Sequence, residues 1–274
     1  ALILTFNQME TSRSILITAF VLGITAPPIN LSVRPLWKDL VPHSYLRTAY
    51  AFDSAMMSST TVVGPVVVTA LALSSRPYLA LDVVAALMFT GGTALALTPV
   101  SRNWIPEKKQ KGQGSLLKNP VMQLLMFEGC FIGFGWGVFD VAVPAFATQE
   151  DVAHRVAWIF AAFGVATVIG GLLGGLVSKK LAPLPALRRA YFFWLIACLP
   201  ISFTYPDWTM ALVGASIGFV GGAVQVFYFE VLEAVRPQGS QTSSLGWIWS
   251  VEGSFMAVGA AVGGVVSEYF SPRY

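Results

Sequence analysis

The chain has 274 residues, 55% of them hydrophobic and only 11% charged, with a mean hydropathy of +0.67. A water-soluble domain carries about 25% charged residues, so this composition excludes a soluble globular protein. It points instead to a polytopic membrane chain whose length holds about eight or nine helical spans. The net charge of +3 sits in loops and reports topology rather than a nucleic-acid footprint.

In chain order, residues 1–7 are too short to span and read as the end of an earlier helix. The sequence opens inside an apolar run, with no initiator Met and no signal n-region, and so reads as an excerpt of something longer. The first complete span covers 14–33 and contains Pro27 and Pro28, so its second half is expected to be kinked or unwound. An amphipathic loop, 34–47, leads to a span over 48–74 with Asp53 near its start and Gly64-Pro65 at its centre. A span over 79–100 follows, with Asp82 near its start. Residues 101–118, with four Lys and one Arg, form the one long polar connection. This segment divides the chain into a partial N-terminal bundle, 1–100, and a partial C-terminal bundle, 119–274.

The stretch 119–148 is almost unbroken in apolar character, against the roughly 20 residues a helix needs to cross a bilayer. It carries Gly129, Gly133 and Gly137 at four-residue spacing, which lets another helix approach closely, and Pro144, which removes one backbone donor. Further spans are expected over 152–177, 190–204, 209–234 and 244–268. The first of these has a small-residue face at Gly164, Gly170, Gly171, Gly174 and Gly175. The loops alternate in charge. The set 34–47, 101–118, 178–189 and 234–243 holds 13 of the 17 basic residues, leaving Arg13, Arg76, Arg155 and Arg273 on the other side. Under the positive-inside rule the first set is cytoplasmic and the protein lies in the cell membrane.

Acidic groups submerged in apolar spans are the functional suspects, because a charge near mid-bilayer costs about 3 kcal/mol even on mild scales. Glu128, Asp140 and Glu252 are such groups. Glu128 and Asp140 are twelve residues apart, hence about 18 Å and 120° apart on one helix, and each needs a partner elsewhere. Gln225, Trp136 and Tyr228 add polar and aromatic candidates for a substrate cavity, with Trp247 and Trp249 reading equally as belt aromatics. Asp53 suits a helix N-terminus, a pair with Arg47 or a gate between helices. His43 and His154 lie in or beside loops with no ligand-spaced neighbours, Cys130 and Cys198 fall inside spans, and the glycines follow no strand. No metal, disulfide or phosphate-cradling site is implied, and no cofactor is expected.

The run PPINLSVRPLWKDLVPHSYLRTAYAFDS followed by Gly64-Pro65, the run FDVAVPAFAT and the long basic loop resemble the major facilitator superfamily of secondary transporters, in particular its bacterial, actinobacterial-looking members. The resemblance implies an all-α polytopic bundle of two pseudo-symmetric halves, here covering helices four to eleven and truncated at both ends, with 101–118 as the linker. Gly64-Pro65 is similar to the core of the family's antiporter motif, while Thr60, Val68 and Thr69 depart from its glycines. Gly174 is followed by Ser178 and Lys179, without the acidic member of the loop motif.

These readings converge on a monomeric, non-enzymatic transporter that moves a small molecule by alternating access, through proton-coupled efflux. A proton-coupled uptake symporter and a non-transporting scaffold fragment are the alternatives. A membrane enzyme lacks support, since neither a paired Asp motif nor a Ser/His/Asp constellation is present.

Overall fold

The structure is a computed structural model that describes residues 79–105, 116–177, 182–237 and 240–270 continuously, and isolated positions between 17 and 71. Most of the span 14–33, together with Arg47, Pro65, Lys108, Lys109, Lys111, Lys179 and Lys180, lies outside the described residues. The chain gathers into two units, Ala1–Ala49 with Val66–Ile105, and Tyr50–Pro65 with Pro106–Tyr274.

In the first unit, α1 runs from Leu79 to Leu97. It stops three residues earlier than the apolar pattern suggests. Pro99 disfavours helical geometry at Thr98, whose ψ is 139°, and the Thr98 side chain then caps a new short turn, Pro99–Arg102, by accepting from the Ser101 N–H.

Among the described residues, the second unit holds five helices long and apolar enough to cross a membrane. They are α2 (Pro120–Gln149), α3 (Val156–Val177), α4 (Pro183–Cys198, extended by the 3-10 turn Leu199–Phe203), α5 (Trp208–Val235) and α6 (Gln241–Tyr269). The described residues are helical and connecting, with no strand among them, so the architecture is an all-α membrane bundle.

Local chemistry sets the helix ends. Asn119 precedes Pro120, and its Oδ1 accepts from the N–H groups of Val121 and Met122 at 3.0 and 3.4 Å. Asp207 starts α5 in the same way, accepting from the Thr209 N–H at 2.7 Å. At the end of α2, Asp151 takes φ 57°. The Val152 N–H reaches the Ala147 carbonyl and the Asp151 N–H the Thr148 carbonyl, a Schellman closure with Asp where Gly is usual. The span expected from Ala190 begins at Pro183 instead. Pro183 and Pro185 sit in the first turn, where missing N–H groups leave no bond unmade, so Arg188 and Arg189 belong to α4.

Two helix pairs dominate the packing, α2 with α6 and α3 with α5. Both are parallel, and glycines bring their backbones into contact. A Cβ at Gly137 would lie 1.9 Å from the Met256 carbonyl oxygen, and one at Gly259 would lie 2.1 Å from that of Phe134. Across the other pair, a Cβ at Gly170 would meet the Phe219 carbonyl oxygen at 1.7 Å and one at Gly222 that of Thr167 at 2.1 Å. In lipid, where no hydrophobic effect pushes helices together, such close approach supplies the van der Waals gain. α4 packs on α5 through Trp194, whose indole N–H donates to the Ile217 carbonyl at 3.1 Å over Gly221.

Ties at the helix ends connect these pairs. At one end the Asn119 side-chain amide donates to the Val235 carbonyl. At the other, the Tyr205 hydroxyl donates to Glu150, while Gln149, donating to the Ser267 carbonyl, ties α2 to α6 within their own pair. A buried cluster of Val143, Phe146, Ile159, Met210 and Ala211 fills the space beneath that second end.

Candidate functional site

Glu128 lies eight residues into α2, about 12 Å along its axis. The α2–α6 crossing puts Glu252 beside it. A Cβ at Gly129 would lie 3.9 Å from the Glu252 Cβ, and one at Gly133 would stand 2.1 Å from the Glu252 carbonyl oxygen. The two side chains are half-buried and close enough for their charges to act on each other. One carboxylate oxygen of Glu128, Oε1, is buried with no hydrogen-bond partner.

Tyr228 on α5 completes the group. Its hydroxyl donates to the Leu125 carbonyl, one turn before Glu128, at 3.5 Å, and its ring lies within electrostatic reach of both Glu128 and Glu252. No Lys, Arg or His occurs in α2, α3, α5 or α6. The three elements therefore meet at two like-charged carboxyl groups and a phenol, with no basic side chain on those helices to neutralise them. Two ionised carboxylates in such a place repel each other and leave their desolvation uncompensated. A proton or a cationic ligand relieves both costs.

The remaining sequence candidates separate from this group. Asp140 is exposed on α2, and Gln225 is exposed on α5, one turn before Tyr228. Trp136 is drawn into an aromatic cluster, with ring centroids 5.2 Å from Phe163, 5.9 Å from Phe139 and 6.4 Å from Trp194. Asp53 is buried and Gly64 half-buried, both at helical positions. Among the described residues no group of three or more His, Cys, Asp or Glu could hold a metal ion.

The sequence marks Glu128 and Glu252 singly, as acidic groups within apolar spans, and does not pair them. A signal was present. Glu252 and Gly259 are seven residues apart and share a helix face, while Glu128 adjoins Gly129 at the start of its own glycine series. Two glycine faces, each opening on a carboxylate, match in register.

The charged groups at the other end do local structural work. Asp207, outside the spans, accepts from the hydroxyl and the N–H of Thr209. These bonds, with a smaller contribution from Arg155, hold its carboxyl below the usual range.

Comparison with known proteins agrees with this architecture. Residues 1–260 match the Major Facilitator Superfamily. The chain is 26% identical over 278 aligned residues to an MFS-type transporter, y4rN, of Sinorhizobium fredii, covering 93% of this chain and 66% of that one. It is 25% identical over 266 to the macrolide efflux protein A of Streptococcus pyogenes, covering 90% of this chain and 62% of that one. The chain thus spans just under two thirds of the length of these relatives. With an all-α bundle of membrane-length helices and a family match over nearly its whole length, the chain belongs to the Major Facilitator Superfamily.

Proposed function

We propose that this chain forms the working part of a secondary transporter that exports a small molecule across the cytoplasmic membrane by alternating access, with Glu128 and Glu252 as its proton-coupling pair. The observation that carries the reading is the buried, unpartnered oxygen of Glu128 beside the Glu252 side chain, where α2, α5 and α6 carry no basic side chain. Intramembrane ionisable groups of this kind mark ion and substrate pathways. Loading and unloading one proton changes the charge of the pair, and a charge change at a helix crossing biases which of two packings is favoured. Tyr228 contributes a hydroxyl and a ring face toward the same place. Asp140, Gln225 and Trp136 are assigned to the substrate path on α2 and α5, and Asp53, Arg47, Gly64 and Pro65 to gating.

The direction of transport rests on the efflux activity in the name of one relative, and the excess of basic residues in 34–47, 101–118, 178–189, whose second half is the start of α4, and 234–243 supports a cytoplasmic side for these segments. The protein acts as a monomer. A macrolide is the first probe. Cells making the protein are expected to retain less labelled macrolide than control cells and to lose that difference when an uncoupler collapses the proton gradient. Retention equal to control, or a difference that survives the uncoupler, contradicts the proposal.

A further inference from the structure

We infer that Gly133 is a positioning residue for the Glu128–Glu252 pair, setting how closely the second carboxyl group can stand to the first. This inference rests on the reading of that pair as the coupling site, but concerns the geometry that creates it. Of the glycines on α2 that face α6, Gly133 is the one whose missing side chain admits the backbone of Glu252 itself: a Cβ there would lie 2.1 Å from the Glu252 carbonyl oxygen, 2.8 Å from its carbonyl carbon and 3.0 Å from its Cα. No rotamer change resolves such a clash, because every atom met is main chain. The helices must separate at residue 252. A Cβ at Gly129 would meet the Glu252 Cβ at 3.9 Å and the Ile248 carbonyl oxygen at 4.0 Å, both ordinary contacts, and one at Gly137 would meet the backbones of Met256 and Ala260, further along α6. Gly133 therefore acts at the carboxylate-bearing residue, while its neighbours hold the crossing on either side.

The test reads the coupling directly and needs no transport. A hydrophobic carbodiimide reacts with protonated carboxyl groups in apolar surroundings, and its attachment to Glu128 can be followed by mass spectrometry as a function of pH in membranes containing the protein. Among the described residues, the titratable groups facing the pair are its own two carboxyls and Tyr228 from α5; α2, α5 and α6 carry no basic side chain. Glu252→Gln removes the neighbouring charge and gives the labelling midpoint of an uncoupled Glu128. Gly133→Ala is expected to move the midpoint most of the way to that of Glu252→Gln. Gly222→Ala, an equal steric insult at 2.1 Å from the Thr167 carbonyl oxygen in the α3–α5 pair, is expected to leave the midpoint where the unaltered protein has it.

Should the Gly133→Ala chain not accumulate, Gly129→Val takes its place. Its Cβ would make only ordinary contacts, with the Glu252 Cβ and the Ile248 carbonyl oxygen, so the added methyl groups crowd the Glu252 side chain without a backbone clash and are expected to move the midpoint in the same direction. A Gly133→Ala or Gly129→Val midpoint equal to that of the unaltered protein, or a Glu252→Gln midpoint that does not differ from it, overturns the inference. Loss of macrolide export with the midpoints behaving as expected overturns the transport reading and leaves the positioning role intact.

Discussion

At the scale of single residues, the folded bundle is held by a few side chains whose chemistry is local. Asp207 is the best defined. Its folded carboxyl titrates below its unfolded value, so it stabilises the protein above the unfolded value of about 4 and loses that contribution as pH falls through the folded one. In detergent, Asp207→Asn is expected to melt below the unaltered protein at pH 7, and the two curves should converge as the pH is lowered below about 4. Asp207→Ala, which removes the cap altogether, is expected to cost about 1 kcal/mol at pH 7. Asp151 supplies a second test. At φ 57° its backbone lies where a β-branched residue is strained, so Asp151→Val should lose about 1–2 kcal/mol in the same melting experiment. Asp151→Gly should match or exceed the unaltered protein.

At the scale of elements, glycine is the organising residue, since two parallel helix pairs depend on backbones meeting without side chains between them. Alanine at Gly222 or Gly170 is expected to cost about 1–3 kcal/mol through overpacking, read as reduced thermal stability in detergent. Alanine at Gly135 or Gly175, where an added Cβ meets nothing within 4 Å, should change stability by under about 0.5 kcal/mol. The glycine spacing on α2 was legible in the sequence, and so were the long apolar runs, because lipid demands about twenty apolar residues per crossing. Helix ends were less legible. Pro99 ended α1 before the apolar run did, and Pro183 began α4 inside what read as a basic loop, because hydrophobicity registers the solvent while proline registers the hydrogen bond. Pairing was the least legible. Glu128 and Glu252 are 124 residues apart in sequence, and which glycine face meets which is decided by three-dimensional packing that no local period encodes.

At the scale of the whole molecule, the proposed transport cycle turns on a membrane-embedded pair of carboxyl groups, Glu128 and Glu252, carrying a proton while the substrate moves. Family membership gives the architecture and the expectation of transport, and the charge inventory of α2, α3, α5 and α6 supports the coupling. The measurement that reaches this claim most directly is proton movement itself. In inverted membrane vesicles with an imposed proton gradient reported by a pH-sensitive dye, addition of a macrolide should dissipate the gradient when the unaltered protein is present. The Glu128→Gln/Glu252→Gln double variant, inserted to the same level, should show no macrolide-dependent dissipation; dissipation at the unaltered rate in that variant would contradict the account.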